Sequence, residues 1–373
     1  MNLFERLNQE LEQLRHQGSY RHLPVVPEGM VNLSGNDYLG ILEDRAFREA
    51  FYAQLSGEAA QLSAASSRLL TGNTAAAIEL ERFLAQAYHA EAALVFGSGY
   101  HANTGILPAL AGPKSLILSD RLNHASLIDG IRASGATFYR FRHNDLEHCR
   151  SYLEKYAKSY DEVFVVTESV FSMDGDCSDL KALTTLKHDF PNVVLYVDEA
   201  HGVGVFGERG LGVAVAEAVH QQIDILVGTF GKALCSTGAF VVCSAVVREI
   251  LVNKMRPFIF TTALPPVNMA WTLYVLRALP KMQARREHLR KMARQLTQAI
   301  IEKTGSCVST SQIVPYILGS NEAAIAEAQR LQSAGFYVLP IRPPTVPAGT
   351  ARLRFSLSAG ITDEAFERLL AVL

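Results

Sequence analysis

The sequence predicts an α/β fold: a large domain with a mostly parallel, doubly wound sheet, followed by a smaller α+β C-terminal domain. Three observations predict it. Apolar runs of strand length recur between about residues 92 and 243 with helical patterns between them, the signature of β-α-β units. Two of these runs, Val193–Val197 and Ile223–Val227, have the length and composition of buried parallel strands. After Val247 the alternation gives way to a long charged helical region and then to mixed short elements. Pattern and composition suggest an N-terminal helix and arm over 1–42, a large domain over 43–262 and a small domain over 263–373.

The bulk composition excludes several classes. Of 373 residues, 49% are hydrophobic and 19% charged, an ordinary globular profile. A net charge of −2 offers no basic excess for nucleic acid or an anionic membrane. The opening MNLFERLNQELEQLRHQ is a polar amphipathic helix, not a signal peptide, and no apolar stretch is long enough to span a membrane. The five cysteines (149, 177, 235, 243 and 307) are scattered and never in C-x-x-C spacing. That disfavours a disulfide framework or a zinc site and fits a reducing cytoplasm.

Taken in order, residues 1–18 form a surface helix ending at Gly18, followed by an extended segment through Pro24 and Pro27. In VNLSGNDYLG (31–40) a short strand meets turn signals, and Asn36 and Tyr38 are unusual polar choices beside it. A helix runs from about Asp44 to Leu55. The loop SAASSRLLTGN (63–73) either lets a ligand come close or is simply flexible. A second helix, capped by Thr74, reaches about His89.

The strand Ala92–Phe96 runs into Gly97-Ser98-Gly99 and a helix starting near Tyr100. Backbone N–H groups at such a helix start can cradle a phosphate. The same residues, with Ala102 and the later Asp120, also fit a dinucleotide fingerprint, so an NAD-dependent dehydrogenase is a rival reading. It places the motif well inside the chain and leaves Lys232 and Asp198 unexplained. Next come the strand Ser115–Ser119, then His124 and the helix Ser126–Ala133. His124 is either structural or a flat surface on which a planar ring stacks. The strand Thr137–Phe141, a helix over Leu146–Lys158 and the strand Val163–Thr167 follow, the last delivering Glu168 and Ser172. Asp174-Gly175-Asp176 reads as a turn, since the later ligands of a calcium loop are missing.

The chemistry concentrates after the next two strands. Val193–Val197 delivers Asp198 and His201; Ile223–Val227 delivers Thr229 and Lys232. Ligands of open α/β sheets sit at the carboxyl ends of strands, so both sets face one crevice. A lysine in an apolar, glycine-flanked loop suits imine chemistry, because partial desolvation frees its amine. An aspartate closing a buried strand calls for a cation. Pyridoxal phosphate (PLP) asks for this pair, a Schiff-base lysine and an acid for its ring nitrogen. Singly, Lys232 could be a solvated loop lysine and Asp198 a helix cap; their shared strand-end context favours the joint reading. Asp198-Glu199-Ala200-His201 spells a helicase box, but no G-x-x-x-x-G-K-[ST] loop precedes it. No ligand cluster supports a metal hydrolase either, and no metal is expected. Cys235 reads as a small buried filler.

The C-terminal part predicts a helical region over 267–303, the strand Ile313–Leu318, the helix Asn321–Ala334, the strand Tyr337–Pro340 and a final helix from Thr362. Arg342, stiffened by the two prolines after it, is either a carboxylate-binding fork or a surface arginine.

These stretches resemble the α-oxoamine synthases, PLP enzymes of the fold-type I aminotransferase class. The likeness covers nearly the whole chain. It is carried by SGNDYLG (34–40), SGYHAN (98–103), DRLNHASLIDG (120–130), ESVFSMDGD (168–176), VDEAHGVGVFGERG (197–210), TFGKALCSTGA (229–239) and IRPPTVPAGTARLR (341–354). The resemblance implies PLP fold type I and a set of roles. Lys232 would hold PLP as a Schiff base, Asp198 would keep the pyridinium protonated, His201 would bond the phenolic oxygen and His124 would stack on the ring. Ser98, Gly99, Tyr100 and Thr229 would meet the phosphate and ring edge, and Glu168 and Ser172 would line the site. Thr262 would reach the phosphate of a neighbouring subunit, which implies a homodimer with its active site at the interface. Arg342 would bind the amino-acid carboxylate, with Asn36 and Arg21 also toward substrate. The RPPTVP core favours the branch joining L-alanine to a pimeloyl thioester, pimeloyl-CoA or pimeloyl-ACP, over branches that use other amino acids and acyl groups. The family's histidines after the 63–73 loop are replaced here by Thr74 and Ala77.

Overall fold

A computed structural model describes residues 1–21 and 23–373. It resolves two compact units: Asp37–Ser172 with Cys177–Glu287, and Met1–Asn36 with Met173–Asp176 and His288–Leu373. These cuts differ from the compositional ones at 42/43 and 262/263. The reason lies in the helix Pro266–Ala278, which packs on the helix Ala75–Ala87. Its Trp271 meets Phe51 edge-on at 5.1 Å and Phe47 at 5.7 Å. Aromatic contact of this kind ties 263–287 to the larger unit.

The larger unit is built on a seven-stranded sheet. Its order is Ala92–Phe96, Ala239–Cys243, Ile225–Thr229, Val193–Asp198, Glu162–Glu168, Ser115–Asp120 and Thr137–Phe141. Ala239–Cys243 runs antiparallel to both neighbours, and every other pairing is parallel. The mostly parallel α/β sheet predicted from the apolar runs is therefore what forms. The Ile223–Val227 strand sits two residues later, at Ile225–Thr229, and just before it the Asp224 side chain accepts from the Leu195 N–H at 2.7 Å. The core joins strand residues Leu94, Ile117, Val166, Tyr196 and Val241 to Ile106, Leu107, Leu127 and Ile131 from the helices Gly99–Leu110 and Ala125–Ala133. Those two helices touch closely enough that a Cβ on Gly130 would stand 2.1 Å from the Asn103 carbonyl oxygen, so only glycine fits there.

The 63–73 loop is pinned. Arg68 makes a bidentate pair with Glu81 at 2.9 and 3.1 Å. It also donates to Asn73 at 3.0 Å, while Glu81 accepts from the Val95 N–H at 2.9 Å. Both partners are largely buried, where removal of one half strands the other charge.

The smaller unit carries an antiparallel three-stranded sheet, ordered Pro340–Ile341, Ala351–Ser356, Ile313–Gly319. Val31–Asn32 pairs with Phe336–Tyr337. The single strand expected at Tyr337–Pro340 is thus two short ones in different sheets. The Asp174-Gly175-Asp176 turn belongs to this unit. Arg352 grips Asp174, and the Gly175 carbonyl accepts from the Thr310 N–H at 3.1 Å. Gly175 has φ +69° and would place a Cβ 1.9 Å from the Ile313 oxygen, so the turn needs its glycine. Among the described residues no helix is long and apolar enough to cross a membrane.

Candidate active site

Parallel strands in register bring their last residues level. Glu168 pairs with Asp198, and Asp198 with Val227, across three adjacent strands. Both carboxyl side chains are buried at the carboxyl ends, at 2% and 6% exposure. Two hydrogen-bond chains start from these ends.

The first chain holds the lysine. Lys232 lies half-buried in the loop after Ile225–Thr229, with Nζ 2.7 Å from His201 Nε2. His201 is buried, and its Nδ1 lies 2.6 Å from the Tyr38 hydroxyl. The second chain holds the carboxylate. Asp198 Oδ1 accepts from the Ala200 N–H at 2.8 Å, and Oδ2 accepts from Asn103 Nδ2 at 2.7 Å. Asn103 also donates to Ser126 Oγ at 2.9 Å, and Ser126 Oγ is 2.8 Å from His124 Nδ1. Glu168 Oε1 accepts from the His124 N–H at 2.6 Å. The His124 side chain stays exposed, as a stacking surface must. Desolvation by the protein around it lowers its pKa, the Asp198 charge opposes that, and the Lys232 charge adds to it.

The third feature is a helix start. Ser98 caps the helix Gly99–Leu110, its hydroxyl accepting from the His101 N–H at 3.1 Å. The first N–H groups, at Gly99 and Tyr100, have no intrahelical partner. A Cβ on Gly99 would lie 3.8 Å from the Thr229 side chain, so Thr229 flanks the same cradle. Thr229 donates to the Gly238 carbonyl at 3.0 Å and Tyr100 to Asp129 at 2.6 Å. Ser172 is half-buried just beyond the isolated bridge that pairs Val170 with Cys177. Thr262 is exposed, beside an Ala263 N–H that donates to the Ser66 carbonyl at 2.9 Å.

Three expected substrate residues belong to the smaller unit. Arg342 donates to the Gly18 carbonyl, Arg21 to the Thr345 hydroxyl at 2.9 Å, and Arg354 to Asn36 Oδ1 at 3.4 Å.

Burial has electrostatic consequences. Glu168 is pushed up to about 8, first by desolvation and then by the neighbouring Asp198 charge, with Lys232 and the His124 N–H opposing. A raised carboxyl pKa means that the folded chain holds the proton more tightly than the unfolded one. The associated stability is complete below pH 4.5 and disappears as pH climbs toward 8. Each unit of separation is worth about 1.4 kcal/mol. Denaturant unfolding of the apoprotein between pH 5 and 8.5 should therefore show stability falling with pH, and Glu168→Gln should flatten that slope. An equal slope in both proteins would refute the assignment.

Glu199 plays a different part from Asp198. Fully buried, it accepts from Ser169 Oγ and the Ala214 N–H at 2.6 Å and from the Val213 N–H at 3.1 Å. Desolvation outweighs these bonds and raises it to about 7. It ties down the 199–214 loop while Asp198 faces the crevice. Cys235 is half-buried rather than buried. Its thiol donates to Asp37 at 2.9 Å, and burial beside that carboxylate raises its pKa, the reverse of an activated nucleophile.

Several partners in these chains were not legible as site residues: Asn103, Ser126 and Tyr196, whose hydroxyl donates to Asn103 Oδ1 at 2.7 Å. The available signals were a polar side chain one turn into an apolar helix and a tyrosine in an otherwise aliphatic strand. Among the described residues no group of three or more His, Cys, Asp or Glu is placed to hold a metal. Asp198 is held by two N–H donors, Asn103 and Ala200. A buried carboxylate, an amine within reach of a histidine and a helix start with open N–H groups together fit a phosphorylated ring with a basic nitrogen and a carbonyl.

Comparison with known proteins agrees with this chemistry. The family described as aminotransferase class I and II matches residues 28–373. A provisionally named 8-amino-7-oxononanoate synthase of Pasteurella multocida strain Pm70 is 52% identical over 98% of this chain and 97% of its own length. A serine palmitoyltransferase variant from S. paucimobilis, solved with a PLP–myriocin aldimine, superposes with a TM-score of 0.89 at 32% identity, covering 100% of this chain and 97% of its own. An 8-amino-7-oxononanoate synthase from Francisella tularensis gives a TM-score of 0.77 at 26% identity, covering 93% and 97%. By its sequence and its fold, this chain belongs to the class I and II aminotransferase family, among the α-oxoamine synthases.

Proposed function

We propose that the chain is a PLP-dependent C-acyltransferase. It would condense L-alanine with a pimeloyl thioester to give 8-amino-7-oxononanoate, CO2 and the free thiol, a step of biotin biosynthesis. The observation that carries the reading is the pair of chains ending on Lys232 and Asp198, on adjacent strand ends of one sheet. The name borne by relatives at about half identity gives the product, 8-amino-7-oxononanoate.

When bound, PLP supplies an electron sink for the carbon that loses its proton. Asp198 holds the ring nitrogen protonated, with its own charge fixed by the Asn103 and Ala200 donors. Lys232 Nζ, 2.7 Å from His201, would anchor the ring and serve as the base that takes the α proton of alanine; His201, oriented by Tyr38, would meet the phenolic oxygen. His124 packs against the ring face. Ser98, Gly99, Tyr100 and Thr229 hold the phosphate, and Glu168 and Ser172 line the wall. Thr262 is assigned to the phosphate of a second subunit in a homodimer, and Arg342, Asn36 and Arg21 to the amino-acid substrate. The protein is taken to work in the cytoplasm.

A sister α-oxoamine synthase is the second reading, favoured by the higher TM-score to serine palmitoyltransferase than to the Francisella synthase. One panel separates them. Glycine, serine and alanine are each offered with short, long and pimeloyl thioesters, and thiol release is followed. Alanine with pimeloyl thioester should exceed every other pair by at least about tenfold, a difference of about 1.4 kcal/mol in transition-state binding. Serine with a long acyl thioester winning would move the chain to the other branch.

A further inference from the structure

We propose that Asn103 is the positioning residue of this site. Its single amide carries the hydrogen direction fixed at His124, the Nε2–H imidazole, along a chain to Tyr196, and so holds Asp198 as a carboxylate. Asp198's part toward the cofactor rests on the function proposed above; the rest of the chain stands on geometry alone.

Four members of the chain are almost closed to water: Asn103 at 2%, Tyr196 at 0%, Ser126 at 1% and Asp198 at 6% exposure. Buried polar groups must satisfy one another. The amide has two arrangements. In one, Nδ2 gives its hydrogens to Asp198 Oδ2 and Ser126 Oγ, and Oδ1 accepts from the Tyr196 hydroxyl. In the other, flipped by 180°, Oδ1 faces Asp198 Oδ2 at 2.7 Å, which two acceptors tolerate only if Asp198 is protonated. The flipped amide also takes the Ser126 hydroxyl hydrogen.

His124 selects between them. Its Nδ1 accepts from the Ser126 N–H at 3.2 Å and has the Ser126 hydroxyl 2.8 Å away. A ring nitrogen that receives a backbone N–H carries no hydrogen of its own, so the hydroxyl donates toward it as well. With its hydrogen committed to His124, Ser126 Oγ can only accept from Asn103. That leaves the arrangement in which Asp198 is ionised. The histidine above the crevice and the carboxylate at its base are therefore coupled through a residue that touches only one of them. The close approach at Gly130 brings the helices bearing Asn103 and Ser126 together.

Long-range proton–nitrogen NMR of the histidine-labelled apoprotein reads the tautomer directly. At pH 7.5 His124 should show the Nε2–H pattern, and an Nδ1–H pattern or an imidazolium would overturn the proposal without any variant. Asn103→Leu should shift the His124 nitrogen resonances although Asn103 does not touch that ring; Ser126→Ala should shift them too. With nitrogen-labelled PLP, the ring-nitrogen signal should move toward its unprotonated position in Asn103→Leu. Unchanged His124 and ring-nitrogen signals in folded variants would reduce Asn103 to a packing residue. If Asn103→Leu fails to fold, the wild-type tautomer and Ser126→Ala still decide. A chain with the expected tautomer that binds no PLP would overturn the proposed function and leave the hydrogen-bond chain standing.

Discussion

Lys232→Ala is expected to lose the near-visible colour of the PLP-loaded protein, its borohydride sensitivity and its turnover together. The residue is asked to do two things with one atom: anchor the ring covalently and move the substrate proton. A positioned base alone contributes on the order of 10²–10⁴-fold. Losing the anchor as well should take kcat down by at least about 10⁴-fold, since groups that act as a unit fail as a unit. The fold should survive, because Lys232 is half-buried and its Nζ faces His201, itself held by Tyr38. Lys232→Arg sharpens the test. It preserves the charge beside His201, yet a guanidinium that never deprotonates cannot act as the amine. Both variants should be equally inactive. Activity retained by Lys232→Arg would mean that only the charge matters, and wild-type turnover in Lys232→Ala would remove the proposed mechanism.

Why some of this was legible and some was not follows from the range of each force. The strands at 92–96 and 193–197 were readable because a strand covered on both faces is apolar throughout, and that is a property of consecutive residues. Strand-end chemistry was readable for the same reason: Asp198 and Lys232 stand out against their flanks. The antiparallel strand Ala239–Cys243 was not singled out, since an apolar run carries no sign of its direction. Helix Pro266–Ala278 was assigned to the smaller domain because its tie to the larger unit is made by Trp271, Phe47 and Phe51, far apart in the chain. The 63–73 loop reads equally as a ligand approach or as flexible, because Glu81, the partner that pins Arg68, lies on a helix whose turn facing it cannot be read from spacing. Asn103 was hidden inside a quoted motif. Its importance appears only when Asp198, Ser126 and Tyr196 from two other elements converge on one amide.

Asp198→Asn should keep the fold and lose most of the rate. The substitution is nearly isosteric, and its carbonyl oxygen can still accept from Asn103. Its new amide hydrogens, however, face the Ala200 N–H that Oδ1 now accepts. One buried donor left unsatisfied costs about 1–3 kcal/mol, a lowered melting temperature rather than an unfolded chain. The larger effect is electrostatic. An ionised carboxylate among buried walls favours a proton on a neighbouring ring nitrogen, and a neutral amide does not. Preorganised charge of this kind is worth about 10²–10³-fold per group removed, so kcat should fall by roughly that factor while Lys232 still binds the ring. A chemical control separates charge from shape. A PLP analogue methylated on the ring nitrogen is cationic whatever faces it, and it should recover part of the lost rate in Asp198→Asn. Normal turnover in Asp198→Asn with ordinary PLP would show that the ring needs no acid. A full loss that the permanently cationic analogue leaves untouched would place the role of Asp198 in holding geometry instead.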